Sequence, residues 1–120
     1  SVTDVRRLLG PDALVGLSTH TTRQIVAAAA EPISYLAVGT VFGTTSNDTG
    51  YEPVGLDLVR EAAIVCAAAG HPVVAIGGIT LDRAPEVIAA GAASVAIIGD
   101  VCVARPDVRV RAFLDRLAHV

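Results

Sequence analysis

One pattern occurs three times in this chain: an alanine-rich stretch, a turn, and then a short run rich in β-branched residues. The alanine-rich stretches are residues 27–30, 67–70 and 89–91, and the runs that follow them are 33–38, 73–76 and 95–98. A fourth apolar run, at 13–17, precedes the first of these repeats. Apolar runs without alternation are typical of strands buried on both faces. Helices that alternate with such strands indicate βαβ units and a parallel sheet.

The segments between the strands carry helix signals. Thr21 and Gln24 match a capping box, in which two side chains bond amides at the start of a helix. Asp82 is placed to cap a later helix that has Pro85 in its first turn and ends at Gly91. Between these two helices, a stripe of apolar and small residues at helical spacing predicts another helix: Leu56, Val59, Ala63, Cys66 and Gly70. A similar stripe predicts the last helix: Val110, Phe113, Leu114 and Leu117. With a short first helix at 4–9, the sequence predicts four strands and about five helices.

The predicted fold is a single α/β domain over residues 1–120, built as half of a TIM-type barrel. A (β/α)8 barrel takes about 200–250 residues, and four β/α units are half of one. A doubly wound sheet is the alternative, with helices on both faces. The hydrophobic fraction of 52% favours the half-barrel. Because its two sheet edges and its inward face are left uncovered, we expect self-association or pairing with a complementary N-terminal half.

Charge and composition exclude several classes of partner. The formal net charge is -3, and all nine basic residues are arginines. Without a basic face, neither nucleic acid nor an anionic membrane surface is an expected partner. No apolar stretch approaches the ~18–20 residues of a membrane helix, and the first residues lack the layout of a signal peptide, so we expect a cytoplasmic protein. Cys66 and Cys102 lack metal-type spacing, which predicts two buried thiols and no metal site.

Polar and glycine residues gather where the predicted strands end. In a parallel barrel the carboxyl ends of the strands form the functional rim. Here they run into residues 17–20, 41–48, 76–79 and 98–100. Gly77, Gly78 and Gly99 let a ligand approach the backbone closely, where peptide N–H groups can bind an anion. Together with the hydroxyls of Thr44, Thr45 and Ser46 in the long loop 42–55, they predict a phosphate site.

The segments 9–21, 38–42, 72–79 and 87–92 resemble the C-terminal half of thiamine phosphate synthase, in order and in spacing. Thiazole tautomerases share these landmarks. The resemblance implies a (β/α)8 barrel of which this chain supplies the last four strands. It also implies the condensation of a pyrimidine methyl diphosphate with a thiazole phosphate to give thiamine phosphate and diphosphate.

The resemblance assigns roles to individual residues. Ser18 matches a catalytic serine that contacts the leaving diphosphate. Substrate-binding positions are matched by Thr44 and Ser46 in the thiazole phosphate loop and by the backbone of Gly78, Ile98 and Gly99. Three positions depart from the family: Gly43 replaces a proline, Asn47 a lysine that reaches the diphosphate, and Gly99 a serine. Asn47 therefore offers a neutral amide where the family places a charge.

The resemblance also implies magnesium, whose aspartate ligands lie in the N-terminal half of the family and are not in this chain. A bound metal ion neutralises the oxygens of a departing diphosphate. Two other functions stay open. The first is a non-catalytic phosphate-binding or assembly module, indicated by Asn47 and the missing metal ligands. The second is a thiazole tautomerase, in which His20 would relay a proton.

Overall fold

The computed structural model describes residues 1–43, 52–118 and 120, and nine elements lie within them. Helices and strands alternate throughout. The elements are α1 Val2–Leu9, β1 Gly16–Thr19, α2 Thr22–Ala29, β2 Tyr35–Val38, α3 Gly55–Ala69, β3 Val73–Ile76, α4 Ala84–Ala89, β4 Ser94–Ala96 and α5 Pro106–Leu117. The four strands of the described residues form one parallel sheet in the order β1-β2-β3-β4. The predicted parallel α/β architecture is confirmed.

Burial alternates along the strands, so the two faces of the sheet differ. Leu36 and Val38 in β2 and Val73 and Ala75 in β3 are buried, and helices α2 and α3 pack against these strands. Residues that pair across neighbouring parallel strands share a face. The opposite face carries the exposed side chains of Ser18, Tyr35, Ile76 and Ser94. We call it the open face. Within the described residues the helices cover one side, as in half of a barrel.

The open face is the inward face that a half-barrel is expected to leave uncovered, but it corrects the burial expected of the strands. The apolar runs predict strands buried on both faces, yet the side chains of Tyr35 and Ile76 are each 38% exposed. A barrel interior is filled by side chains from strands on all sides. The described strands form a single curved half of such an interior, and no described element of this chain lies across from them to fill it.

Strand β1 begins three residues later than predicted and extends to Thr19. Arg6 explains the shift, because its guanidinium donates hydrogen bonds to Pro11 O and Ala13 O, both at 3.0 Å. The amide of Val15 donates to Ser34 Oγ at 2.9 Å, so a side chain takes the place of a neighbouring strand. These contacts hold residues 11–15 outside the sheet. As a result Ser18 lies within β1, where the sequence predicts the loop that follows it.

The helix caps are partly as predicted. Thr21 caps α2 by accepting a hydrogen bond from Gln24 N at 3.1 Å. The Gln24 side chain accepts from His20 N at 2.7 Å, one residue before the position that a capping box predicts. The predicted cap Asp82 is wrong. Helix α4 begins at Ala84, and Thr80 Oγ1 accepts from Arg83 N at 3.3 Å instead.

The two cysteines have different environments. Cys66 lies on the buried side of α3, and burial raises the pKa of its thiol. Cys102 is exposed in the turn that follows β4, so the prediction of a buried thiol holds for Cys66 and is wrong for Cys102. The two thiols are free. Among the described residues no helix has both the length and the hydropathy to cross a bilayer.

Candidate functional site

The backbone after β2 stays paired with the backbone after β3 beyond the ends of both strands. Val41 N donates to Ile76 O and Phe42 N to Gly77 O, each at 3.0 Å. The approach is so close that a Cβ on Gly77 would lie 2.3 Å from Thr40 Cγ2. Gly77 also has a φ of +108°, which other residues rarely adopt. Glycine is therefore required at position 77, where the chain leaves β3 and enters the candidate site.

Gly78 lies against the start of the long polar loop. Its φ is +63°, and a Cβ there would lie 2.5 Å from Gly43 O. The loop is closed at its base, since Val54 N donates to Thr40 O at 2.7 Å and Gly55 N to Val41 O at 2.9 Å. The predicted phosphate ligands of this loop, Thr44, Thr45, Ser46 and Asn47, lie outside the described residues. The structure places the start of their loop, at Gly43, beside Gly78.

A third loop, after β4, is tied to the loop after β3. Ile98 O accepts hydrogen bonds from Val101 N at 3.3 Å and Cys102 N at 3.0 Å, which forms a turn around Gly99. Asp100 Oδ2 accepts from Leu81 N at 2.7 Å, and its other oxygen lies 3.9 Å from Arg109. This carboxylate holds the two loops together. The sequence analysis places residue 100 at the rim, but it missed this hydrogen bond to another loop.

Three backbone amides at this edge donate to no acceptor among the described residues. In the described part of the chain, the N–H groups of Gly78, Ile98 and Gly99 donate to no backbone or side-chain oxygen. Exposed, uncommitted N–H groups at the ends of neighbouring parallel strands are suited to bind an anion. We call the loops 77–81 and 98–100 the glycine edge. It brings together three of the predicted site residues.

Ser18 and His20 lie at the opposite edge of the sheet, in strand β1 and directly after it. Ser18 is exposed on the open face beside Ala37 of β2. The His20 ring is held at the backbone, with Nδ1 2.6 Å from Gly39 O. Since neighbouring strands are about 4.8 Å apart, Ser18 is about 10 Å from β3 across the sheet. The structure therefore does not bring Ser18 into contact with the glycine edge.

One basic residue at the edge was missed by the sequence analysis. The guanidinium of Arg83 lies 4.5 Å from the centroid of the Phe42 ring, and its Nη1 donates to Gly78 O at 3.3 Å. Arg83 thus bridges the loops after β2 and β3. Two features of the sequence could have indicated Arg83: it lies five residues after Gly78, and the chain has no lysine.

The described residues do not fit a magnesium ion. Among them no three His, Cys, Asp or Glu side chains come together in a way that could hold a metal. Asp100, the carboxylate at the glycine edge, is engaged by Leu81 N and lies near Arg109. Mg²⁺ takes oxygen ligands, chiefly carboxylates and water.

Fold and site define a class: a parallel β/α half-barrel with a candidate anion site at the carboxyl edge of its strands. The comparisons with known proteins then define the family. The profile of the thiamine monophosphate synthase family, TMP-TENI, matches residues 1–101. The chain belongs to this family.

Individual relatives agree with the family profile. The chain is 44% identical over 117 residues to the thiamine biosynthesis bifunctional protein ThiM/ThiE of Symbiobacterium thermophilum, which covers 97% of this chain and 24% of that protein. It is 40% identical over 116 residues to the thiamine-phosphate synthase of Roseiflexus castenholzii, covering 96% of this chain and 50% of that one. The chain thus spans half or less of the length of these two relatives.

A solved structure shows the same fold. Thiamine phosphate pyrophosphorylase from Pyrococcus furiosus superposes with a TM-score of 0.83 at 24% identity. The superposition covers 99% of this chain and 55% of that protein. It supports the arrangement of strands and helices described above.

Proposed function

We propose that this chain carries the thiazole-phosphate side of a thiamine-phosphate synthase active site. In the reaction the thiazole nitrogen forms a C–N bond to the pyrimidine methylene carbon. The C–O bond to diphosphate breaks, and the diphosphate leaves with the electron pair. The observation that carries the proposal is the glycine edge, where the amides of Gly78, Ile98 and Gly99 have no acceptor among the described residues.

The glycine edge is suited to the phosphate of the thiazole substrate. Its donors are backbone groups, fixed by the pairing of Phe42 with Gly77 and by the Asp100 bond to Leu81. Donors held in place before the ligand arrives lose little freedom on binding. The hydroxyls of Thr44 and Ser46 belong to the same proposed cradle, since their loop starts at Gly43, beside Gly78.

Ser18 is proposed to contact the departing diphosphate. Its separation of about 10 Å from β3 leaves room for two phosphate-bearing groups side by side on the rim. A thiazole phosphate at β3 and β4 and a diphosphate at β1 would then present the thiazole nitrogen to the reacting carbon between them. Holding two reactants in this way makes up a large part of catalysis in bimolecular reactions.

A complementary N-terminal half is part of the proposal. It would cover the open face, add strands at β1 and β4, and bring the pyrimidine site and the magnesium ligands, as the family resemblance implies. The relatives named above are longer than the matched region, which supports such a partner. The small-molecule phosphate substrates, the cytoplasmic location and the absence of nucleic-acid and membrane partners stay predictions of the sequence.

The test of the proposed function is reconstitution. The chain is mixed with the N-terminal half of the Roseiflexus castenholzii relative, both substrates and saturating magnesium, and thiamine phosphate is measured. We expect product only when both halves are present. Formation of a complex with no product would contradict the synthase.

Calorimetry with thiazole phosphate separates the alternatives. Binding together with turnover supports the synthase, whereas binding without turnover in the reconstituted complex supports a phosphate-binding module. No heat of binding and no product would exclude both.

A further inference from the structure

We propose that Arg83 is a phosphate-binding residue that supplies positive charge to the glycine edge. The inference rests on the proposed function, because it assigns a further ligand to the same phosphate group. Backbone amides offer hydrogen bonds but carry no net charge, whereas a phosphate monoester is an anion. Hydrogen bonds with an ionised donor are roughly twice as strong as neutral ones.

The position of Arg83 fits this role. Its Nη1 lies 3.3 Å from Gly78 O, and the N and O atoms of one residue are at most about 3.6 Å apart. The guanidinium is therefore within about 7 Å of the Gly78 amide, a gap that a phosphate accepting a hydrogen bond from each side can bridge. The contact with the Phe42 ring holds the guanidinium plane over the loop after β2.

No carboxylate of the described residues forms an ion pair with Arg83, whose side chain is exposed. Five other arginines do pair with aspartates: Arg7, Arg60, Arg105, Arg109 and Arg116. Arg6 is bound to carbonyl oxygens before β1 and β2, at the opposite end of the strands. Among these arginines, Arg83 is the one that contacts Gly78, whose amide belongs to the glycine edge.

A phosphate-binding Arg83 is relevant to Asn47, which stands where the family has a lysine. The sequence has no lysine, so any cation at the rim must be an arginine. An arginine fixed between two loops binds phosphate through a planar set of donors, unlike the point charge of a lysine. Arg83 would accordingly contribute to affinity for the thiazole phosphate and not to departure of the diphosphate.

The test compares three variants with the wild-type chain by calorimetry, using thiazole phosphate, inorganic phosphate and the dephosphorylated thiazole alcohol. Arg83→Gln should weaken binding of thiazole phosphate by about tenfold to a hundredfold. Arg83→Lys should lose less, because it keeps the charge. Arg111→Gln, an exposed arginine on α5, is the matched control and should bind like the wild type. Circular dichroism confirms that each variant is folded.

The outcomes separate the two proposals. Wild-type binding of thiazole phosphate that Arg83→Gln leaves unchanged within twofold overturns the role of Arg83 and leaves the proposed function standing. Binding of inorganic phosphate that depends on Arg83, without binding of thiazole phosphate, supports the role of Arg83 and contradicts the proposed function. A wild-type chain that binds neither phosphate overturns both. If Arg83→Gln fails to fold, Arg83→Met, which keeps the apolar stem of the side chain without its charge, takes its place with the same outcomes.

Discussion

At the scale of single residues, the candidate site depends on two glycines that have no side chain. Gly77 and Gly78 carry no Cβ where Thr40 and Gly43 approach within 2.3 and 2.5 Å of its ideal position. Both also have a positive φ. The orientation of the Gly78 amide follows from this conformation, so a side chain here would disturb the cradle directly.

Replacing Gly78 by alanine should cost stability and abolish phosphate binding. A left-handed conformation costs an L-residue about 1–2 kcal/mol, and the clash with Gly43 O adds to it. Gly70→Ala is the matched control, because Gly70 has a φ of +78° but no atom within 4 Å of its Cβ position. Denaturant unfolding should show a loss of stability in both variants, whereas calorimetry should show loss of binding in Gly78→Ala alone. Equal binding by the two variants would contradict the cradle.

At the scale of elements, the loops after β2, β3 and β4 form one unit. Phe42 pairs with Gly77, and Asp100 bonds Leu81, so each loop is tied to its neighbour. The strands bring these loops near one another, and the hydrogen bonds between them set the spacing of the amides. The site is thus a property of three connections and not of any one motif.

Asp100 provides a test of this coupling. Asp100→Ala leaves Leu81 N without its acceptor, which should lower the free energy of unfolding by about 1–3 kcal/mol and weaken phosphate binding. Asp100→Asn keeps an acceptor oxygen and should lose less. Asp82→Ala serves as control, since Asp82 is 95% exposed and lies 3.9 Å from Arg116, where an ion pair contributes little. An Asp100→Ala variant with wild-type stability and affinity would show that the loops are independent.

The sequence predicted elements better than their connections. Residues 73–76 are the predicted and the observed β3, because an apolar run between Pro72 and Gly77 has clear limits. The start of β1 was missed, since hydropathy does not register the hydrogen bonds from Arg6 that hold residues 11 and 13. Gly78 and Gly99 were predicted as site residues because they are glycines that follow the ends of predicted strands. The roles of Arg83 and Asp100 depend on contacts between loops distant in sequence, which no local pattern reveals.

At the scale of the whole molecule, the open face and the two sheet edges remain without a partner in the described residues. Ile76 and Tyr35 expose apolar surface there, and β1 and β4 present unpaired strand edges. Apolar surface and free edges favour association with another chain. The complementary half is the proposed natural partner, and a second copy can take its place when the chain is alone.

We therefore expect the isolated chain to self-associate at micromolar concentration, as measured by sedimentation velocity. Ile76→Asp should shift it toward monomer, because a charge on the open face opposes burial. Ile64→Asp, on the exposed side of α3 where Ile64 is 74% exposed, should leave association unchanged. A stable, monodisperse wild-type monomer would contradict the expectation. Addition of the complementary half should displace the self-associated form.

The most direct test of the central claim is an amide chemical-shift titration of the ¹⁵N-labelled chain, alone or joined with its complementary half, with thiazole phosphate. The amides of Gly78, Ile98 and Gly99 should shift together and saturate at one affinity, and the thiazole alcohol without phosphate should leave them in place. Saturable binding that moves other amides and leaves these three unchanged would contradict a phosphate site at the glycine edge.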